Sequence, residues 1–187
     1  FSAETRHAAE TVRKALNANL PEDVSVRAVR AVPAGFDPRR WARKRWYRYT
    51  IANGEAREPL TRRGAWFVEG NLDVRAMQAA AQALAGKKDF SAFSGPLEPE
   101  RTPVRTVFTA GWRCEGSTLL FDIEADAFLP QMVRRITGSL IRVGRGAETV
   151  EEIVRLLQQA EPGSMAYVAP AHGLCLQRVW YDEGYTV

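Results

Sequence analysis

The stretch from Val104 to Gly144 restricts the possible folds of this chain more than any other. Two strand-length runs, Val104 to Arg113 and Ser117 to Ala127, are joined through "CEGS", whose Ser117 already opens the second run, a turn short enough to make them an antiparallel hairpin. A run with helical spacing follows at once, and its Leu129, Met132, Val133, Ile136, Leu140 and Val143 form one broad apolar face. A half-buried hairpin beside an amphipathic helix predicts a sheet covered by helices. That is the α+β class with an antiparallel sheet.

The remaining segments fit the same plan. Thr5 to Asn19 reads as a helix, ended by Pro21, and "VSVRAVRAV" (Val24 to Val32) alternates as a strand does. "PAGFDP" breaks the chain before a second strand, Arg45 to Asn53, and "EAREPLTRRG" reads as a loop. Asp73 is placed to cap a helix that runs to Gly86, while "KKDFSAFSGPLEPERTP" carries too much Pro, Gly and Ser to be regular. A helix over Val150 to Gln159 and a strand over Gly173 to Tyr181 complete the pattern.

Two arginines stand together in the amphipathic helix. Arg134 and Arg135 project about 100° apart, so they cannot serve the same purpose. Arg135 lines up with Arg142 at the wet edge of the apolar face. Arg134 falls beside Thr137, Gly138 and Ile141, a side too small and apolar for an ordinary solvent face. A guanidinium held there needs a carboxylate, phosphate or carbonyl partner, although an exposed helix arginine also fits the pattern.

The charge is unevenly spread. The net charge is +4, yet residues 1 to 50 hold eleven Lys and Arg against five Asp and Glu, which leaves the rest slightly acidic. The excess is concentrated in "PRRWARKRWYRY", Pro38 to Tyr49, with six basic residues, four aromatics and no acid. Cations neutralise phosphates and aromatic faces accept stacked bases, so this mixture points to RNA or another single-stranded nucleic acid. Along this strand Arg45, Tyr47, Tyr49 and Ile51 share one face and Trp46, Arg48 and Thr50 the other. Alternation alone does not say which face meets a ligand.

Other chemistries find little support. Cys114 and Cys175 lack metal-ligand spacing and read as two reduced thiols of a cytosolic protein. There is no P-loop, dinucleotide fingerprint or zinc-protease motif, and no apolar run long enough to cross a bilayer. His7 falls on a surface helix, and His172 sits in a Pro/Gly loop where a structural or solvated role is expected. Asp122, Glu124 and Asp126 alternate along a strand, as the wet face of an antiparallel sheet does.

Six segments, in order, resemble the tRNA pseudouridine synthase A family: "LNANLPEDVSVRAV", "RWYRYTI", "LAGKKDFSAF", "RTPVRTV", "ADAFLPQMVRRITGSLIRVG" and "APAHGLCLQRVWY". The resemblance implies a pseudouridine synthase fold, α+β, with antiparallel sheets of mixed order and an RNA-binding cleft between two subdomains. It also implies a cofactor-free, metal-free cytoplasmic enzyme, working as a homodimer, that isomerises uridine in the tRNA anticodon stem-loop. Tyr47 corresponds to the family tyrosine that packs against the target base. Arg134 corresponds to the arginine that pairs with the catalytic aspartate. Arg39, Arg40, Arg43, Lys44 and Arg45 become the expected RNA contacts.

That aspartate belongs to a "GRTDAGVHA"-like loop in the family, and no such loop occurs in this sequence, which opens on Phe1 rather than Met. The expectation is therefore that residues 1–35 are a remnant of an N-terminal subdomain and residues 36–187 are the C-terminal subdomain. These residues alone are then not expected to form pseudouridine. The family's "FHAR" reads "FDPR" here, a basic or histidine position before "MVR" reads Pro130–Gln131, and Trp46 stands where basic residues are common. A non-catalytic RNA-binding module of the same fold is the alternative, and a purely structural α+β domain is disfavoured by the basic, aromatic segment.

Overall fold

β1 (Lys44–Gly54) is the strand on which the molecule is built. A computed structural model describes residues 4–98, 100–165 and 167–182. One edge of β1 pairs antiparallel with β5 (Thr118–Ala125). The other edge is shared: its first half takes β6 (Leu174–Trp180) antiparallel, and Ile51 to Gly54 take β2 (Trp66–Glu69) in parallel. β5 continues to β4 (Val104–Glu115), and β4 to β3 (Gly86–Asp89), both antiparallel. The sheet is therefore mixed, with one parallel pair in an otherwise antiparallel arrangement.

Alternation decides what each face of this sheet becomes. Tyr49 and Ile51 on β1, with Phe121, Ile123 and Ala125 on β5, are fully buried on one face. Trp46, Arg48, Asp122 and Glu124 fall on the opposite face, which the helices leave open. The buried face is covered by α2 (Val74–Gln82), α3 (Met132–Gly144) and α4 (Val150–Gln159). Local chemistry sets where these helices start. The Asp73 carboxylate accepts the Ala76 N–H at 2.9 Å, and Thr149 with Glu152 forms a reciprocal capping box on α4. No helix among the described residues is long and apolar enough to cross a membrane.

Several expectations need correction. The first helix is shorter than its pattern, α1 (Ala9–Asn17), and buries no residue. Val24 to Val32 forms no strand among the described residues, and Val24 and Val32 are exposed. Alternation makes a segment able to join a ladder, but a strand exists only where a neighbouring backbone supplies the other half. Here the Asn17 side chain takes that place at one point, accepting the Val26 N–H at 2.7 Å and donating to the Val26 carbonyl at 2.9 Å. "KKDFSAFSGPLEPERTP" is only partly irregular, because it holds the end of β3 and a 3-10 turn, Ser91–Phe93. Phe90, Ala92 and Phe93 are fully buried beside that turn.

Candidate functional site

The two arginines of α3 part company as their spacing requires, but both are occupied. Arg134, in the first turn, is partly buried, and its Nε donates to the Ala169 carbonyl at 2.6 Å. The Ala169 N–H returns a bond to the Arg134 carbonyl at 3.2 Å. Arg135 is not the wet residue its place on the wheel suggests. Its Nη1 donates to the Met165 carbonyl, and its Nε and Nη2 reach the Gln131 side chain. Arg142, its expected companion, is paired with Glu148.

The segment around Met165, Tyr167 and Ala169 explains why the Arg134 side of the helix is small. Thr137, Gly138 and Ile141 are all buried beneath it. A Cβ on Gly138 would lie 2.8 Å from the Tyr167 carbonyl oxygen, so only glycine lets the two backbones approach this closely. The same segment reaches the sheet. The Tyr49 hydroxyl donates to the Pro170 carbonyl at 2.6 Å, next to the carbonyl that receives Arg134. Burial pushes the Tyr49 hydroxyl well above its ordinary ionisation range, and the nearby Arg134 charge opposes this more weakly. Tyr49 is therefore a neutral donor at physiological pH.

Tyr47 lies on the same face of β1, one step nearer the strand's start. It is partly buried, its ring meets Phe128 edge-on at 5.1 Å between centroids, and its hydroxyl has no hydrogen-bond partner among the described residues. Phe128 comes from the link between β5 and α3, the link that also delivers Arg134. Tyr47, Phe128, Tyr49 and Arg134 thus line the helix-covered side of the sheet where β1 begins and α3 begins. No carboxylate among the described residues lies within ion-pair distance of Arg134.

The five basic residues expected to meet RNA differ in how free they are. Arg39 and Arg40 are exposed on a turn whose backbone N–H groups bind the Asp37 carboxylate, holding that acid below its usual range. Arg43 is exposed and paired with Asp182 at 2.8 Å. Lys44 lies on the open face, 2.7 Å from Glu124 and 3.9 Å above the Trp180 ring. Arg45 points to the other face, where it donates to the carbonyls of Asp126 (2.6 Å) and Arg39 (2.6 Å).

The acids on β5 are structural. Asp122 accepts from Trp46 Nε1 at 2.7 Å, Arg48 Nε at 2.9 Å and Arg113 Nε at 3.3 Å on the open face. His172 lies 3.1 Å from the Ala65 carbonyl, in keeping with a structural place. Pattern reasoning does not single out Phe128 or Arg105. Arg105 shares the inward register of Val107 on β4, and that register was the available signal.

With this geometry in view, the likeness to known proteins is informative. A family profile described as tRNA pseudouridine synthase matches residues 80–182. The chain is 41% identical over 172 residues to the tRNA pseudouridine synthase A of Citrifermentans bemidjiense, covering 91% of this chain and 69% of that protein. The protein of the same name from Geobacter sp. strain M21 is also 41% identical over 172 residues, with 91% and 70% covered. That of Roseiflexus castenholzii is 41% identical over 187 residues, with 97% and 68% covered.

Proposed function

The chain belongs to the tRNA pseudouridine synthase family, and from that premise we propose that Tyr47 and Arg134 form the part of its uridine pocket that this sequence supplies. The enzyme is an isomerase that converts uridine to pseudouridine in tRNA. Substrate and product are isomers: the bond from the ribose to the ring nitrogen breaks and one to ring carbon C5 forms, with the C5 proton moving to nitrogen. The protein's task is to extract the base, hold it and steer the two ends. The anticodon stem-loop is the part of tRNA we assign as target.

In this reading the target base leaves its stack at a cost of a few kcal/mol and lies against the Tyr47 ring, which Phe128 holds from the side. Arg134 holds the catalytic carboxylate. Its Nε is spent on the Ala169 carbonyl, so the orientation is set while both Nη groups remain without an acceptor among the described residues. The observation that carries the assignment is this fixed, partly buried guanidinium with no acid beside it among the described residues. An arginine so placed gains most from a carboxylate, and keeps that carboxylate ionised.

The test is kinetic. Arg134→Ala and Tyr47→Ala are expected to lower pseudouridine formation by about a hundredfold, the scale of a misplaced reacting group, while tRNA affinity changes less than about threefold. Equal losses in binding and turnover would remove both residues from the pocket.

We assign residues 1–35 and 36–187 to different subdomains. Support comes from α1, which buries nothing, and from Phe36, whose ring meets Trp41 and Tyr181 at the start of the sheet unit. We place the enzyme in the cytoplasm, where the exposed free thiols of Cys114 and Cys175 stay reduced. We also take it to act as a homodimer, as the family resemblance implies; a sedimentation mass of one chain would refute this.

A further inference from the structure

We propose that Arg105, flanked by Arg45, seats an RNA phosphodiester where β5 ends and the chain turns toward Phe128 and Tyr47; the inference rests on the tRNA reading above. The geometry starts at Asp126, where β5 ends. Its N–H donates to the Thr106 carbonyl at 3.0 Å, and its carboxylate accepts the N–H groups of Thr106 and Ala127 at 3.0 and 2.6 Å. The carbonyl of the same residue receives Arg45 at 2.6 Å. Across three strands Arg45, Ala125 and Val107 stand in register, and Arg105 is the next inward position on β4. Two arginines therefore approach one turn from opposite sides, and Phe128, two residues on, leans on Tyr47.

Arg105 is held but incompletely used. Its Nη1 donates to the carbonyls of Thr102 and Val104 at 2.7 and 2.6 Å. Nε is buried with no partner, and Nη2 makes no hydrogen bond among the described residues. Nε and Nη2 form the side edge of a guanidinium, the pair of donors that fits two oxygens of a phosphate. A small outward turn of the guanidinium brings both to an arriving anion and removes an orphaned donor. The local charge supports the same occupant. Burial weakens the hold of Arg105 on its proton most; the Asp126 carboxylate opposes this, and the charges of Arg101 and Arg45 add to it. A phosphodiester relieves all three conditions at once.

The experiment measures tRNA affinity at several salt concentrations for the enzyme, Arg105→Gln, Arg105→Lys and, as a control, Arg155→Gln on the exposed side of α4. Arg105→Gln is expected to bind about tenfold more weakly near 0.1 M salt and to lose about 0.7 to 0.9 from the log–log salt slope, one phosphate contact's share. Arg105→Lys is expected to keep the slope and bind several-fold more weakly, because an ammonium lacks the two-donor edge. Arg155→Gln should leave both unchanged. An unchanged slope in Arg105→Gln overturns the seat. If that variant does not fold, unchanged affinity in Arg105→Lys overturns the two-donor seat. Salt-independent tRNA binding by the unaltered enzyme would instead overturn the tRNA reading itself.

Discussion

Tyr49 shows how one side chain ties the sheet to the site. It is fully buried, and its hydroxyl ends on the Pro170 carbonyl, next to the carbonyl that orients Arg134. Gly173 confines the same ring: a Cβ there would come within 2.6 Å of Tyr49 Cε1. Removing the hydroxyl leaves a part-buried carbonyl without its donor, so Tyr49→Phe should cost about 1 kcal/mol in urea unfolding. The pH dependence has a definite sign. The folded-state ionisation lies above the ordinary value near 10, so the unfolded chain releases this proton first. The Tyr49 contribution is whole below pH 10 and is lost as pH rises beyond it. Tyr49→Phe should flatten that alkaline loss, and an equally steep decline in the variant would count against it. The pattern of β1 put Tyr49 on the face of Tyr47, but the hydroxyl's acceptor could not be read, because Pro170 lies 121 residues away.

At the scale of elements, what was legible is what repeats locally. The hairpin, α3 and α4 announce themselves through periodicity over many residues, and Asp73 marks a helix start by short-range chemistry. β2 and β3 have four residues each, too few for a period, and β3 is the lysine-bearing edge of the sheet. The crowding around Arg134 was half legible. Thr137, Gly138 and Ile141 showed that something covers that side of α3, but the irregular segment at Tyr167 and Ala169 carries no pattern to identify it. The opposite failure occurs at Val24 to Val32, where the alternation is clear and no partner strand is present among the described residues. This bears on the proposed subdomain boundary. With no buried residue on α1 and no ladder after it, amides of residues 9–17 should exchange at least a hundredfold faster than those of β1, a gap of about 2.7 kcal/mol in opening free energy. Comparable protection in hydrogen exchange would join residues 1–35 to the sheet unit.

Across the whole molecule, the two faces of the sheet treat their cations differently. On the open face Lys44, Arg48 and Arg113 each sit against a carboxylate of β5, and Trp46 and Trp180 lie under Arg48 and Lys44. Their charge is cancelled locally. On the helix-covered side the hydrogen bonds that Arg45, Arg105, Arg134 and Arg135 make among the described residues go only to neutral oxygens, so their charge persists. Arg39 extends this positive field outward from the start of β1, and Arg40 adds to it from a long, exposed pair with Asp37 at 3.7 Å. Uncancelled charges, screened over about 8 Å, attract a polyanion to that side in preference to the other. The sequence showed the density of basic residues but not this partition, which depends on pairing between strands. Replacing Arg39 and Arg40 together by alanine should weaken tRNA binding and reduce the salt slope by about 1.4 to 1.8, two phosphate contacts. Lys44→Ala should have a smaller effect, since Lys44 must first leave Glu124. Arg48→Ala should leave the slope unchanged and lower stability by about 1 to 2 kcal/mol, because Asp122, 24% exposed, loses its closest arginine. Binding titrations and urea unfolding on the same preparations separate these effects, and a flattened slope in Arg48→Ala would move the RNA to the open face.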